Sequence, residues 1–177
     1  MEDHPYIHWQ ENLSELFSPV EEELFQASAI YVLTDENISS IWLQTLLEHC
    51  EILAHANIIE LPAGEDSKEW EILSHVFGQL MEDRADKKIW IINVGGGTIT
   101  DVGGMIASLY KRGVSFIHVP TTLMGMVDAS IGGKNGINFQ GNKNMLGTFQ
   151  EPDALLIYPG FLETLPEAEI LSGLAEM

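Results

Sequence analysis

The sequence contains one cysteine, Cys50, and no long apolar run. A single cysteine cannot form an intrachain disulfide, which excludes the disulfide-stapled class of small secreted domains. A membrane-spanning helix needs about 18 consecutive apolar residues, and no such run is present. No signal-peptide pattern occurs either. We therefore expect a soluble, cytoplasmic protein.

Basic residues are also scarce: 8 Lys and Arg stand against 27 Asp and Glu, for a net charge of −19. This imbalance argues against nucleic acid or an anionic membrane as a partner. Cations grouped beside glycine-rich loops in so acidic a chain predict a compact anionic ligand. For Lys111 and Arg112, a simple preference for a helix C-terminus is an equally good explanation. The grouped cations are Lys68, Lys111, Arg112, Lys134 and Lys143.

The 177 residues suit one domain, and 45% hydrophobic residues with a mean hydropathy of +0.06 suffice for a packed core. Apolar runs and helical periodicities alternate along the chain, which predicts an α/β fold with a mainly parallel sheet. A helical turn over 13–17 should end at Pro19. The predicted strands are 6–10, 28–33, 57–61, 89–94, 115–119 and 154–158. The predicted helices are 38–50, 67–83 (with Ser67 as N-cap), 101–112 and 166 onward to Met177.

The centre of the pattern is the strand at 89–94, followed by Gly95, Gly96 and Gly97 and then by the helix from Asp101. A strand, a glycine turn and a helix bring bare backbone N–H groups and a helix N-terminus up to a phosphate. Glycine suits this turn because it leaves space for a ligand and because it accepts a positive φ. Taken alone, the triple glycine fits a tight turn that binds nothing equally well.

Further motifs follow in order: Pro120-Thr121-Thr122, a polar glycine-rich segment over 128–138, Lys143-Asn144, and the final residues 173–177. Together with the glycine turn, their order and spacing resemble the 3-dehydroquinate synthase family, from about residue 35 to the end. The resemblance implies a Rossmann-like NAD-binding domain. It also implies NAD and a divalent metal, zinc or cobalt, as cofactors, and a homodimer.

The family's reaction belongs to the shikimate pathway of aromatic amino acid biosynthesis. The substrate is a small sugar phosphate, 3-deoxy-D-arabino-heptulosonate 7-phosphate, and the products are 3-dehydroquinate and phosphate. The resemblance implies that NAD oxidises a ring hydroxyl, that phosphate is then eliminated, and that NADH returns the hydride.

The resemblance also assigns roles to individual residues. Substrate contacts or catalysis fall to Asp128, Lys134, Asn144 and Arg112, the arginine acting across the dimer interface. The metal ligand is Glu176. Contacts to NAD fall to Asp35, Asn37, Glu65, Lys68, Gly95, Gly96, Gly97, Asp101, Thr121, Thr122, Met124, Lys134, Lys143, Phe161, Leu162, Thr164, Leu165 and Glu169.

Simpler explanations exist for several of these residues. Asp and Asn are ordinary turn and cap residues, which covers Asp35, Asn37 and Asp128. A lone carboxylate on an amphipathic helix, such as Glu176, is usually a solvated residue. The histidines form no metal-binding motif, and His118 inside an apolar strand suits a core position. His4 and His8 are four apart, but the intervening Pro5 argues against a metal pair.

Two departures from the family pattern stand out. Thr100 replaces a glycine beside the phosphate turn, where its side chain can crowd a pyrophosphate. Gln140-Gly141-Asn142 replaces a proline-leucine-glycine sequence. The family also continues past the position of Glu176 into a helical domain that carries two histidine ligands. We therefore expect residues 1–177 to be an NAD-binding domain without turnover of its own.

Three other functions stay open from the sequence. Related sugar phosphate cyclases share most of the motifs. Metal-dependent polyol or alcohol dehydrogenases share the glycine turn and the threonine pair but differ after Thr122, where this chain runs on to Asp128 and Lys134. A non-catalytic nucleotide-binding or assembly domain is the third alternative.

Overall fold

The computed structural model describes residues 5–176. The strands are β1 (Ile7–Trp9), β2 (Ile30–Asp35), β3 (Asn57–Leu61), β4 (Trp90–Gly95), β5 (Ser115–Pro120), β6 (Lys134–Phe139), β7 (Asn142–Phe149) and β8 (Ala154–Ile157). Six of them are parallel and form one sheet in the spatial order β1-β8-β5-β4-β2-β3, and β6 and β7 form a separate antiparallel hairpin. The predicted α/β fold with a parallel sheet is confirmed.

Helices connect the strands and cover both faces of the sheet. A π-helical stretch, Ser39–Leu43, joins the helices Glu36–Ile38 and Gln44–His49 into one continuous helical segment. This segment agrees with the predicted helix over 38–50. Short 3-10 turns occupy most remaining connections, including Gly64–Lys68, Tyr110–Arg112 and Pro159–Thr164. The α-helices are α1 (Glu21–Phe25), α2 (Glu36–Ile38), α3 (Gln44–His49), α4 (Trp70–Glu82), α5 (Gly97–Leu109) and α6 (Glu167–Leu174).

Two apolar cores lie on opposite faces of the sheet. Successive side chains of a strand point to opposite faces, so Ile92 in β4 belongs to one core and Ile91 to the other. The first core includes Leu24 of α1 and Leu46 of α3. The second is covered by α4 and α5, with Val76 fully buried. Burial on both faces explains why these strands are nearly continuous apolar runs.

Several predicted boundaries are wrong in an instructive way. The helix after the glycines begins at Gly97, four residues before the predicted start at Asp101. The prediction that Ser67 is an N-cap is also wrong, because α4 begins at Trp70. Its hydroxyl instead donates to the Gly64 carbonyl at 2.8 Å inside the preceding 3-10 turn. Pro19 ends no helix but lies in the 3-10 turn Ser18–Val20.

The β6–β7 hairpin was not predicted, because its polar, glycine-rich sequence lacks a clear alternation of apolar residues. Its turn consists of Gln140 and Gly141, both with positive φ, at +50° and +76°. This two-residue turn has the twist that a hairpin favours. Helix α6 ends at Leu174, so the prediction that it runs on to Met177 is wrong. Residue 177 itself, and His4 of the His4–His8 pair, lie outside the described residues.

Candidate functional site

The strand order reverses between β2 and β4. The chain leaves β2 for β3 on one side and leaves β4 for β5 on the other. In open α/β sheets, ligands bind in the crevice at the carboxyl ends of such strands. Asp35, Gly95 and Thr121 lie at these ends. The amide of Thr121 donates to the Gly95 carbonyl at 2.9 Å, which ties the loops after β4 and β5 together.

The glycine turn between β4 and α5 packs closely against neighbouring side chains of the protein. A Cβ on Gly95 would lie 2.6 Å from the Ile99 side chain, and one on Gly97 would lie 2.9 Å from Ala129 Cβ. A Cβ on Gly96 would lie 3.0 Å from Thr122 Cγ2. None of the three glycines has a positive φ, so that part of the prediction is wrong. These positions require the absence of a side chain, which keeps the N-terminus of α5 open to an anion.

Thr100 does not crowd the turn. Its side chain is fully buried, and its hydroxyl donates to the Gly97 carbonyl at 3.0 Å within α5. Gly96, Gly97 and Thr98 at the start of α5 are partly exposed.

Asp35 serves as a helix cap. One carboxylate oxygen, Oδ1, accepts hydrogen bonds from the amides of Asn37 at 2.9 Å and Ile38 at 3.0 Å. The capping explanation is thus right for Asp35, and it is compatible with ligand binding. Among the described residues no group bonds the second oxygen of Asp35, and the Asn37 side chain is exposed at the same edge of the sheet.

A buried ion pair crosses the site. Lys68 is 6% exposed, and its ammonium group donates to Asp101 Oδ2 at 2.6 Å and to Asn144 Oδ1 at 3.2 Å. Burial raises the pKa of Asp101, and the negative charges of Glu65 and Asp128 act in the same direction. Lys68 opposes this rise. The network links the turn before α4, the helix α5 and the strand β7.

Glu65 lies beside this network. Its Oε2 accepts a hydrogen bond from Asn138 Nδ2 at 3.1 Å and lies 3.6 Å from the Lys143 ammonium group. The hydrogen bond from Asn138 is the main reason that the pKa of Glu65 is lowered, and Lys68 and Lys143 contribute. Four residues predicted from the sequence, Glu65, Lys68, Lys143 and Asn144, are therefore neighbours in space.

A cavity of about 750 Å³ opens between α5 and the β6–β7 hairpin. It gathers Asp101, Asp128, Lys134 and Asn144, which are up to 43 positions apart in sequence. The Lys134 and Asp128 side chains are exposed to it. A cavity with two carboxylates, one ammonium group and two amides suits a small, polar, charged ligand. The other lining residues are Ala129, Ile131, Gly132, Gly133, Asn135, Gly136, Gly147, Thr148 and Phe149.

The segment over 159–165 packs against the helical segment after β2. Phe161 is buried beneath the rings of Trp42 and Tyr158, with centroids 5.0 and 5.1 Å away. Trp42 Nε1 donates to Thr164 Oγ1 at 2.8 Å. The ring of Phe161 therefore has a packing role. The remaining cofactor candidates here, Leu162, Leu165, Glu169 and Met124, are exposed or partly exposed.

Of the residues predicted to contact the substrate or the metal, Arg112 and Glu176 do not line the 750 Å³ cavity. Arg112 is exposed and follows α5, whose other end carries the glycine turn. The 13 residues of α5 span about 20 Å. Arg112 therefore does not line the cavity of its own chain. Glu176 is exposed just beyond α6, and among residues 5–176 no three His, Cys, Asp or Glu side chains come together as a metal site.

His118 is a core residue, as its position in an apolar strand predicts. It is 3% exposed, and its Nδ1 lies 3.2 Å from Asn93 Nδ2 on the neighbouring strand. Burial lowers the pKa of His118 to about 3, so the ring is neutral. A neutral ring whose Nδ1 accepts from Asn93 has a structural role.

Sequence reasoning missed two side chains that shape the site, Asn138 and Trp42. Asn138 stands between Ile137 and Phe139, and a polar residue inside such a run is the one signal that could have indicated it. Trp42 carries no comparable signal, because its ring fits the apolar face of a helix.

None of the helices within residues 5–176 combines the length and the hydropathy that a membrane span needs.

Comparison with known proteins identifies the relatives of this chain. The family described as 3-dehydroquinate synthase N-terminal matches residues 58–172. The 3-dehydroquinate synthase of Pseudomonas aeruginosa is 43% identical over 148 residues, covering 84% of this chain and 40% of the relative. That of Saccharolobus solfataricus is 49% identical over 125 residues, covering 71% and 35%. The chain thus spans less than half the length of these curated relatives.

Solved structures agree on the fold. A 2-epi-5-epi-valiolone synthase from Streptomyces hygroscopicus, solved with NAD+ and Zn2+ bound, is 31% identical with a TM-score of 0.85. The match covers 99% of this chain and 49% of that one. A 2-deoxy-scyllo-inosose synthase, at 22% identity and a TM-score of 0.85, shares the fold over 96% of this chain and 46% of its own. The match of the 3-dehydroquinate synthase N-terminal family over residues 58–172 shows that the chain belongs to the 3-dehydroquinate synthase family and corresponds to its N-terminal domain.

Proposed function

We propose that this chain is the NAD-binding part of a 3-dehydroquinate synthase. The observation that carries the proposal is the glycine turn at the N-terminus of α5, where Gly97 lies against Ala129, a residue that lines the cavity with Asp101, Asp128, Lys134 and Asn144. A dinucleotide needs backbone donors at a helix start and polar groups for its riboses. The turn supplies the donors, and Asp35 offers a carboxylate oxygen at the end of β2.

The residues of this chain fit NAD. A side chain on any of the three glycines would fill space that is already tightly packed, and the turn is positioned at the strand-order reversal. When bound, NAD would supply a hydride acceptor and, later in the cycle, a hydride donor. Asp35 would bind ribose, the turn would bind pyrophosphate, and Thr121 and Thr122 would border the nicotinamide.

The substrate side of the proposal rests on charge. The exposed ammonium group of Lys134 would pair with an anionic group of the substrate, and Asn144 would donate or accept a hydrogen bond beside it. Asp128 faces the same cavity and would accept a proton or hydroxyl hydrogen from the substrate. Lys68 would hold Asp101 in place while it contacts the cofactor. The substrate that best fits this proposal is a small sugar phosphate with a carboxylate.

A divalent metal does not fit the described residues by themselves. Glu176 is the assigned ligand, but a catalytic zinc needs about three protein ligands, and residues 5–176 contain no such group. We derive no step through a metal. Since the relatives are more than twice as long as the matched region, we propose that further ligands come from sequence outside these 177 residues. Arg112 would act on a neighbouring copy, in a homodimer.

Another sugar phosphate cyclase is the second candidate, favoured by the likeness to the valiolone synthase. Identity to that protein is 31%, against 43% to the Pseudomonas 3-dehydroquinate synthase. The higher identity supports the dehydroquinate reaction. The proposal predicts that the protein containing this chain releases phosphate from 3-deoxy-D-arabino-heptulosonate 7-phosphate, and that residues 1–177 alone do not. Robust release by the 177-residue chain would overturn the second half of this prediction.

Calorimetric titration of NAD+ into the 177-residue chain tests the cofactor site. We expect one site per chain, and we expect Gly96→Ala to weaken binding roughly tenfold or more, because a Cβ 3.0 Å from Thr122 Cγ2 would push apart the two loops proposed to bind NAD. The matched control is Gly78→Ala in α4, where a Cβ would meet no atom within 4 Å. Equal binding by the two variants would contradict the proposed site.

A further inference from the structure

The β6–β7 hairpin is irregular at one point, next to the cavity. Ile137 of β6 pairs with Leu146 of β7, and Phe139 of β6 pairs with Asn142 of β7. Between these two pairs β6 has one residue, Asn138, whereas β7 has three, 143–145. Such an irregularity bends the strand and re-aims its side chains, and it is common beside active sites. Here it takes Lys143 and Asn144 out of the regular pairing between β6 and β7. The resemblance assigns both residues to ligand contacts.

The side chain of Asn138 replaces part of the lost pairing. Its Oδ1 accepts a hydrogen bond from the backbone amide of Asn144 at 3.0 Å. Asn144 has φ +50°, in the left-handed region that asparagine tolerates better than most residues. The hydrogen bond from its amide helps to hold this conformation. The Asn144 side chain then reaches Lys68 at 3.2 Å and borders the cavity.

The other end of the Asn138 amide binds a different part of the site. Its Nδ2 donates to Glu65 Oε2 at 3.1 Å, and Glu65 lies 73 positions earlier, in the 3-10 turn before α4. Asn138 is only 6% exposed, so the amide is removed from solvent with both ends bonded. A buried amide with both ends satisfied fixes the groups that it joins.

We propose that Asn138 is a positioning residue that locks Glu65, on the cofactor side, to Asn144, on the substrate side. The two sides of the site then keep one relative geometry, and neither can shift alone. The identity of the two ligands rests on the proposed function. The clamp itself rests on the contacts of Asn138.

Two substitutions separate the two ends of the amide. Asn138→Asp keeps an acceptor for the Asn144 amide but places a carboxylate against Glu65. Asn138→Ala removes both hydrogen bonds. The matched control is Asn142→Ala in the same hairpin, an exposed residue whose side chain bonds only the nearby Gln140 carbonyl.

NMR of the 177-residue chain without ligand reads both ends directly. We expect the pKa of the Glu65 carboxyl to rise in both Asn138 variants, and to rise more with Asp, because a second negative charge then faces it. Hydrogen exchange of the Asn144 amide should become roughly tenfold faster in the Ala variant and stay protected in the Asp variant. Neither quantity should change in Asn142→Ala. If Asn138→Ala does not fold, the Asp variant decides through the same two readouts.

Unchanged Glu65 titration in both Asn138 variants, or unchanged Asn144 exchange in Asn138→Ala, would overturn the clamp, as would equal changes in Asn142→Ala. NAD+ titration adds the functional readout: affinity should fall roughly tenfold in Asn138→Ala relative to Asn142→Ala. Failure of the unsubstituted chain to bind NAD+ would contradict the proposed function. The NMR readouts would still decide the clamp, so the two failures are distinguishable.

Discussion

The ammonium nitrogen of Lys68 lies 2.6 Å from Asp101 Oδ2, and this pair joins the turn before α4 to the second turn of α5. The side chains of the pair are 7% and 24% exposed. A charge pair so shielded from water is costly to break on one side, because the remaining charge stays without a partner.

Replacing Lys68 by Met should therefore destabilise the chain at neutral pH, by about 1–3 kcal/mol. Lys68 opposes the rise in the pKa of Asp101, so that pKa should rise further in the variant. When the pKa of a carboxyl group is higher in the folded than in the unfolded chain, its contribution to the free energy of unfolding is fully present below the unfolded pKa. That contribution is lost as the pH rises through the folded pKa. The stability gap between the variant and the original chain should thus widen from pH 4 to pH 8.

Urea unfolding at several pH values measures this gap. The control is Lys87→Met, which removes an exposed lysine from the loop before β4. A gap that stays constant with pH, or that appears equally in the control, would show that the Lys68–Asp101 pair does not govern the titration of Asp101.

A second prediction concerns the contact between α5 and the hairpin. A Cβ on Gly104 would overlap the Asn135 side chain, which is held by hydrogen bonds to the Gly133 and Gln150 carbonyls. Gly104→Ala should destabilise the chain by about 1–3 kcal/mol, although alanine normally favours a helix interior. Gly78→Ala, in open space on α4, should be neutral or stabilising. Urea midpoints compare the two, and a stabilising Gly104→Ala would refute the close packing.

A third prediction follows from His118. Burial lowers its pKa to about 3, well under the ordinary value near 6.5. The unfolded chain therefore takes up a proton below about pH 6.5 that the folded chain does not. His118 contributes stability above that pH and loses it as pH falls toward 3. Relative to His118→Gln, the original chain should lose about 1.4 kcal/mol per pH unit in this window.

The same unfolding experiment between pH 7 and pH 4 checks this slope. The exposed histidine of α4, His75, provides the control substitution His75→Gln. Parallel pH profiles for the original chain and His118→Gln would mean that the unfolded and folded states protonate His118 alike, contrary to its burial.

The central strands β4 and β5 could be predicted from the sequence because they are buried on both faces. The run at 57–61 gave β3 to the residue, and the runs at 89–94 and 115–119 gave β4 and β5 to within one residue. Strands buried between two helical layers have little polar sequence to obscure their limits. Ser67 misled the prediction because the 3-10 turn Gly64–Lys68 takes its hydroxyl, so a good cap residue caps nothing.

The site was only partly predictable. Asp101, Asp128, Lys134 and Asn144 were assigned by resemblance, and their convergence depends on a hairpin that periodicity did not reveal. The role of Asn138 depends on a register irregularity, which is a property of two paired strands and leaves no local mark in either. For the three glycines, the predicted positive φ is wrong, because their backbone conformation is ordinary. The need for a residue without a side chain is right, since a Cβ at each of them would crowd a neighbouring side chain.

The most direct test of the proposed NAD site is to map NAD+ binding on the 177-residue chain by amide NMR shifts. We expect the shifted amides to cluster at the carboxyl ends of β2, β4 and β5, at Asp35, at Gly95, Gly96 and Gly97, and at Thr121. The contrary result would be shifts confined to the apolar groove between Trp70 of α4 and Leu109 of α5, or no shifts at saturating NAD+.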